Sequence, residues 1–101
     1  MQMAKLSEKY ELVVIFNTKQ GEEKIKEEIA KFKSLIEENG TLITLDEWGK
    51  RKLAYEINDE IDGYYVLFNF ESKPDFPVEI ERRLNIAEGV LRFLVTVLSA
   101  K

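Results

Sequence analysis

Side chains able to do recognition chemistry are densest between residues 48 and 55, where Trp48 and Tyr55 flank the run Lys50, Arg51, Lys52 and Leu53. An arginine fork matches phosphate oxygens and an aromatic face can stack on a base, so this pattern suits a local contact with RNA or an acidic partner. The same charges would also keep an edge strand from recruiting another sheet, and the run by itself fits either role equally. A second basic pair, Arg82-Arg83, lies in a helical stretch. Arg92 interrupts an otherwise apolar strand, an unusual place for a cation unless that face meets solvent or a partner.

Catalysis finds little to work with. The chain has no histidine and no cysteine, which removes thiolate chemistry, disulfides, soft metal ligands and the side chain best suited to proton transfer near neutrality. Asp59, Glu60 and Asp62 could be drawn as a hard-cation cluster, but they lack the length and ligand periodicity of a calcium loop. Gly21, Gly40, Gly49, Gly63 and Gly89 lie far apart, each at an element boundary, and form no phosphate-binding fingerprint. No enzymatic activity, cofactor, small-molecule substrate or metal is therefore expected.

The elements that must position these residues follow from periodicity. Tyr10 to Phe16 is a β-branched and aromatic run, apolar on both faces, which predicts a central strand. From Thr18 to Asn39 the pattern becomes helical, with Ile25, Ile29, Phe32 and Ile36 on one stripe and Glu22 and Glu23 in the first turn. Asn39-Gly40 is expected to end it in a left-handed conformation. Thr41 to Ile57 is a long strand that Trp48-Gly49 interrupts, the mark of a bulge or bend. A polar loop over 58–63 leads to a third strand, Tyr64 to Glu71, with Tyr64, Val66, Phe68 and Phe70 on one face and Tyr65 and Leu67 on the other. Pro77 suits the start of a second helix ending near Ile86. The last strand, Val90 to Leu98, should place Leu91, Phe93, Val95 and Val97 on one side and Val90, Leu94 and Leu98 on the other.

The order β-α-β-β-α-β, with right-handed crossovers, predicts an α+β ferredoxin-like split β-α-β fold. Its four-stranded antiparallel sheet has the first and third strands in the middle and both helices on one face. A length of 101 residues predicts one domain, expected over 10–101 behind a flexible leader over 1–9. Apolar residues on both faces of three strands exceed what two helices can cover, so the free face should dock a partner. A net charge of −4 argues against whole-surface attraction to nucleic acid, leaving only local RNA contact. No segment reaches the roughly 18 apolar residues of a membrane span, and a cytoplasmic location is expected.

The segment Gly49-Lys50-Arg51-Lys52-Leu53-Ala54-Tyr55-Glu56-Ile57-Asn58 resembles the signature of the bacterial ribosomal protein family that is sixth in the small-subunit numbering, matching at Gly49, Arg51, Leu53, Ala54, Tyr55, Ile57 and Asn58. Tyr10-Glu11, Asp62-Gly63-Tyr64-Tyr65 and Val90 to Val95 are also similar to the family. Thr18 follows Asn17 where members commonly have proline, and a polar leader precedes Tyr10. The resemblance implies a structural constituent of the small ribosomal subunit, pairing with the small-subunit protein numbered eighteen and binding the central domain of the small-subunit ribosomal RNA. It further implies that Trp48, Lys50, Arg51, Lys52, Leu53, Tyr55 and Arg92 contribute to the RNA or partner contact. Two other readings share parts of the pattern: a single-stranded RNA-recognition domain outside the ribosome, and a regulatory domain that dimerises through its sheet.

Overall fold

The computed structural model describes residues 7–57 and 60–98. Nine residues of alternating burial form β1 (Glu8–Phe16), in which Tyr10, Leu12, Val14 and Phe16 face the core. A single 3-10 turn (Thr18–Gln20) follows, capped by Asn17, whose side chain accepts from the Lys19 amide at 2.9 Å. Gly21, at φ 93°, separates that turn from α1 (Glu22–Asn39), so the helix starts four residues later than its periodicity suggested. β2 (Gly40–Ile57) and β3 (Glu60–Ser72) form a long hairpin, then come α2 (Phe76–Ile86) and β4 (Val90–Val97).

The strands lie in the order β2-β3-β1-β4, all neighbours antiparallel, with the first and third in the middle as expected. Cross-strand partners project to the same face. Tyr10 pairs with Phe70, Leu12 with Phe68, Val14 with Val66 and Phe16 with Tyr64. These residues meet Ile25, Ile29, Phe32 and Ile36 of α1 and Phe76, Ile80 and Leu84 of α2 in one core. Each fully buried aliphatic or aromatic side chain contributes ~1.5–3 kcal/mol relative to exposure, enough to fix α1 and α2 on this face.

Several expectations need correction. The leader read over 1–9 does not hold at Glu8 and Lys9, which belong to β1 and pair with Ser72 and Glu71, while residues 1–6 lie outside the described residues. Gly40 is no left-handed stop, since its φ of −178° is extended backbone leading straight into β2. The glycine is needed there because a Cβ would lie 2.1 Å from the Glu71 carbonyl oxygen. The loop read over 58–63 is largely strand, as β3 starts at Glu60; Asn58 and Asp59 lie outside the described residues. Val90 packs against the core and not on the opposite side, because the ladder shifts between Ile15 and Phe16.

Candidate functional site

One face of the sheet carries no helix. The register places on it Glu11, Val13 and Ile15 of β1, Gly63, Tyr65, Leu67 and Asn69 of β3, and Arg92, Leu94 and Thr96 of β4. Val13, Ile15, Arg92, Phe93 and Leu94 line a shallow, mostly apolar hollow of about 250 Å³. Leu94 is 64% exposed, an uncovered aliphatic side chain at the edge of this hollow.

The distal half of the β2–β3 hairpin borders this face. Register breaks at Leu42/Thr44, Glu47/Gly49 and Lys52/Ile57 bend β2, the middle one at the predicted Trp48-Gly49 position, where Gly49 has φ 86°. The bulge lets Trp48 lie over Tyr65, with ring centroids 6.2 Å apart and planes inclined by 14°. Arg51 covers the indole, its guanidinium carbon 5.8 Å from the ring centroid. Further along the arm, the Tyr55 hydroxyl accepts from Nη1 of Arg92 on β4. Trp48 and Tyr55 remain 42% and 61% exposed, so neither is absorbed into the core.

The pleat divides the basic run. Arg51 pairs with Gly63 on the open face, whereas Lys50 and Lys52 pair with Tyr64 and Asp62 and project towards the helical side. Lys50 Nζ lies 4.0 Å from an Asp62 carboxylate oxygen, and the other Asp62 oxygen accepts from the Thr18 hydroxyl at 3.0 Å. Successive residues in a strand point to opposite faces, so three adjacent cations cannot form one patch here.

Leu53 is only 8% exposed, which removes it from the surface that a partner would touch. Its Cδ2 and the Cγ2 of Ile15 both lie over the bare backbone of Gly63, where an added Cβ would be 2.4 Å from Ile15. Leu53 and Gly63 thus anchor the arm against β1. Arg82 and Arg83 are engaged locally, both donating to Glu79, whose carboxyl they hold below its ordinary pKa.

Glu47 fixes the arm from the helical side. It accepts from Lys26 of α1 at 2.9 Å and from the Tyr64 hydroxyl at 3.0 Å. The Lys26 bond is the main reason its carboxyl pKa is lowered, and the same bond raises Lys26. Tyr64 is raised chiefly by burial and secondarily by this carboxylate.

Val13, Ile15, Tyr65 and Leu94 belong to this surface without having been singled out as contact residues. Their alternation in β1, β3 and β4 marked a second apolar face, but only cross-strand register brings them beside Arg51 and Arg92. Among the described residues no cluster of acidic side chains could hold a metal ion, and no helix is long and apolar enough to cross a membrane.

Comparison with known proteins agrees with this architecture. Residues 9–96 match the family model described as Ribosomal protein S6. The Small ribosomal subunit protein bS6 of Alkaliphilus metalliredigens is 49% identical over 87 residues, covering 86% of this chain and 93% of that protein. Its namesake in Caldanaerobacter subterraneus is 51% identical, covering 85% and 92%. The crystal structure of 30S ribosomal protein S6 from Thermotoga maritima superposes with a TM-score of 0.86 at 25% identity, covering 90% of this chain and 87% of that one. With a family match over nearly all of its length and the same strand and helix order, the chain belongs to the ribosomal protein S6 family, non-enzymatic structural proteins of the small ribosomal subunit.

Proposed function

We propose that this chain enters the small subunit as a pair with the small-subunit protein numbered eighteen, and that the pair binds the central domain of the small-subunit ribosomal RNA. The observation carrying this reading is the helix-free sheet face, where Val13, Ile15, Leu67 and Leu94 form an apolar strip with Arg92 beside Ile15 and Arg51 one step beyond at the same end. Exposed apolar surface of this kind favours coverage by another macromolecule. The two arginines, backed by Trp48 and Tyr55, are its sources of charge-assisted contact to phosphate. Glu11 lies on the same face and Glu71 at its far end, which suits a basic protein beside the RNA.

The free face does not suit an independent single-stranded RNA reader. Such domains stack bases on aromatic residues of the central strands. Here the open side of β1 presents Val13 and Ile15, and the single open-face ring of β3, Tyr65, is already stacked under Trp48. The other rings of the central strands, Tyr10, Phe16, Tyr64, Phe68 and Phe70, are buried in the core.

With a net charge of −4, the isolated chain should bind RNA weakly, and a basic partner should convert it into half of a positive surface. Filter-binding titrations of central-domain RNA at fixed salt check this. Affinity should rise at least about tenfold on adding the partner, equivalent to roughly 1.4 kcal/mol of coupling. Equal affinity with and without the partner would refute the paired reading.

A further inference from the structure

Several cations of this fold are held by carboxylates. Arg82 and Arg83 donate to Glu79, Lys26 donates to Glu47, and Lys50 lies near Asp62. Such pairs cancel their charge locally. Arg92 is held differently, by the neutral phenol of Tyr55, to whose oxygen its Nη1 donates. A phenol can orient a guanidinium without neutralising it, and a single bond occupies only one of the group's five N–H donors. On the open face the neighbours of Arg92 are apolar, with Ile15 directly across and Val13 and Leu94 beside it.

The Tyr55–Arg92 bond joins opposite edges of the sheet. β3 and β1 lie between β2 and β4, and a flat ladder would keep those edges roughly 14 Å apart, at ~4.8 Å per strand. The last register break closes this gap. Pairing passes from Lys52↔Asp62 directly to Ile57↔Glu60, so Leu53, Ala54, Tyr55 and Glu56 stand opposite Ile61 alone. Extra residues on one strand bend it and re-aim its side chains. Leu53 fixes the direction of the bend, since it is buried and its Cδ2 lies beside Ile15 over the bare backbone of Gly63. Two residues further on, Tyr55 falls on the same face and reaches Arg92. Its side chain stays largely exposed, so what the bend achieves at Tyr55 is the bond to Arg92 and not burial of the ring.

We infer that Tyr55 is a positioning residue for RNA binding: the bulged 53–56 segment delivers its phenol to Arg92 and holds the guanidinium so that the remaining N–H donors meet a phosphate of the RNA. This rests on the reading that the chain and its partner bind RNA as a pair. An unheld arginine samples many rotamers, and ordering it on contact subtracts from affinity; a fork fixed beforehand avoids that loss. Phosphate and carboxylate both fit the fork. Phosphate is the better match, because RNA carries one at every nucleotide whereas a basic partner offers few carboxylates.

Two measurements on the wild type, Tyr55→Phe, Arg92→Ala and the double variant test this. One is calorimetry of pairing with the partner in the absence of RNA; the other is filter binding of the preformed pair to central-domain RNA over a range of salt concentrations. Pairing affinity and melting temperature should match the wild type in all three variants. Arg92→Ala should lower RNA affinity about tenfold or more and flatten the dependence of log K on log salt by about 0.7–0.9, the loss of one phosphate contact. Tyr55→Phe should lower RNA affinity about threefold to tenfold with the salt dependence kept, because the charge is still present but no longer aimed. The double variant should bind like Arg92→Ala, since the phenol acts only through the guanidinium. Wild-type RNA affinity in Tyr55→Phe, or losses that simply add in the double variant, overturns the proposal. So does a loss confined to the pairing step, which would assign Arg92 to a carboxylate of the partner. A wild-type pair that binds RNA no better than the chain alone refutes the paired reading itself and this inference with it, and that result is distinguishable because it needs no variant.

Discussion

Two carboxyls show how far local surroundings steer a single residue in this chain. Burial raises the pKa of Glu28, opposed by Lys24, Lys31 and Gln20, while bonds from Lys26 and Tyr64 lower that of Glu47. A raised acid binds its proton more tightly in the folded state than in the unfolded one. Its contribution is therefore fully present below the ordinary glutamate pKa and is lost as pH rises through the raised value. Glu28→Gln should accordingly increase stability at neutral pH, with the gain fading in mild acid; urea midpoints at the two pH values check it, and an unchanged neutral midpoint would count against burial as the governing cause. Glu47 works in the opposite sense, stabilising at neutral pH and losing its effect as pH falls through its lowered value. That aromatic and basic side chains gather in the 48–55 run could be read from residue types alone. The Trp48–Tyr65 stack and the Tyr55–Arg92 bond could not, because they join residues on different strands whose register no local pattern encodes.

Among the elements, α1 and the two central strands were legible because their hydrophobic periods are long and uninterrupted. The burial of Ile25, Ile29, Phe32 and Ile36 follows directly from spacing. β2 was only partly legible. The bend at Trp48-Gly49 was visible, but which residues point to which face after each register break was not, and Leu53 is buried as a result. Gly40 shows a second limit, since its role comes from a neighbouring strand and not from the helix it follows. Gly40→Ala should destabilise the fold by ~1–3 kcal/mol, because the new Cβ would lie 2.1 Å from a carbonyl oxygen and 2.9 Å from the Ser72 Cβ. A denaturation midpoint matching the wild type would mean that β3 yields there more readily than paired backbone should.

For the molecule as a whole, element order and handedness were enough to predict the sheet topology, since few arrangements of β-α-β-β-α-β satisfy right-handed crossovers. The molecule measures 52 × 25 × 22 Å, elongated for one small core. Stability and recognition should therefore separate. Phe32→Ala, under the helices, should cost ~3–5 kcal/mol, whereas Arg51→Ala, lying over the indole, should cost less than ~0.5 kcal/mol while weakening RNA binding. Guanidinium melts of both variants provide the check; comparable losses would mean that the arm is part of the cooperative core. The pleat that divides Lys50, Arg51 and Lys52 between two faces also restricts how this stretch can change in length. One residue inserted directly after Gly49 would exchange the two sets, setting a lysine at the position over Trp48 and sending the arginine to the other side. Two would restore the original display one step further out, so only changes of even parity keep the arm's outward chemistry in phase.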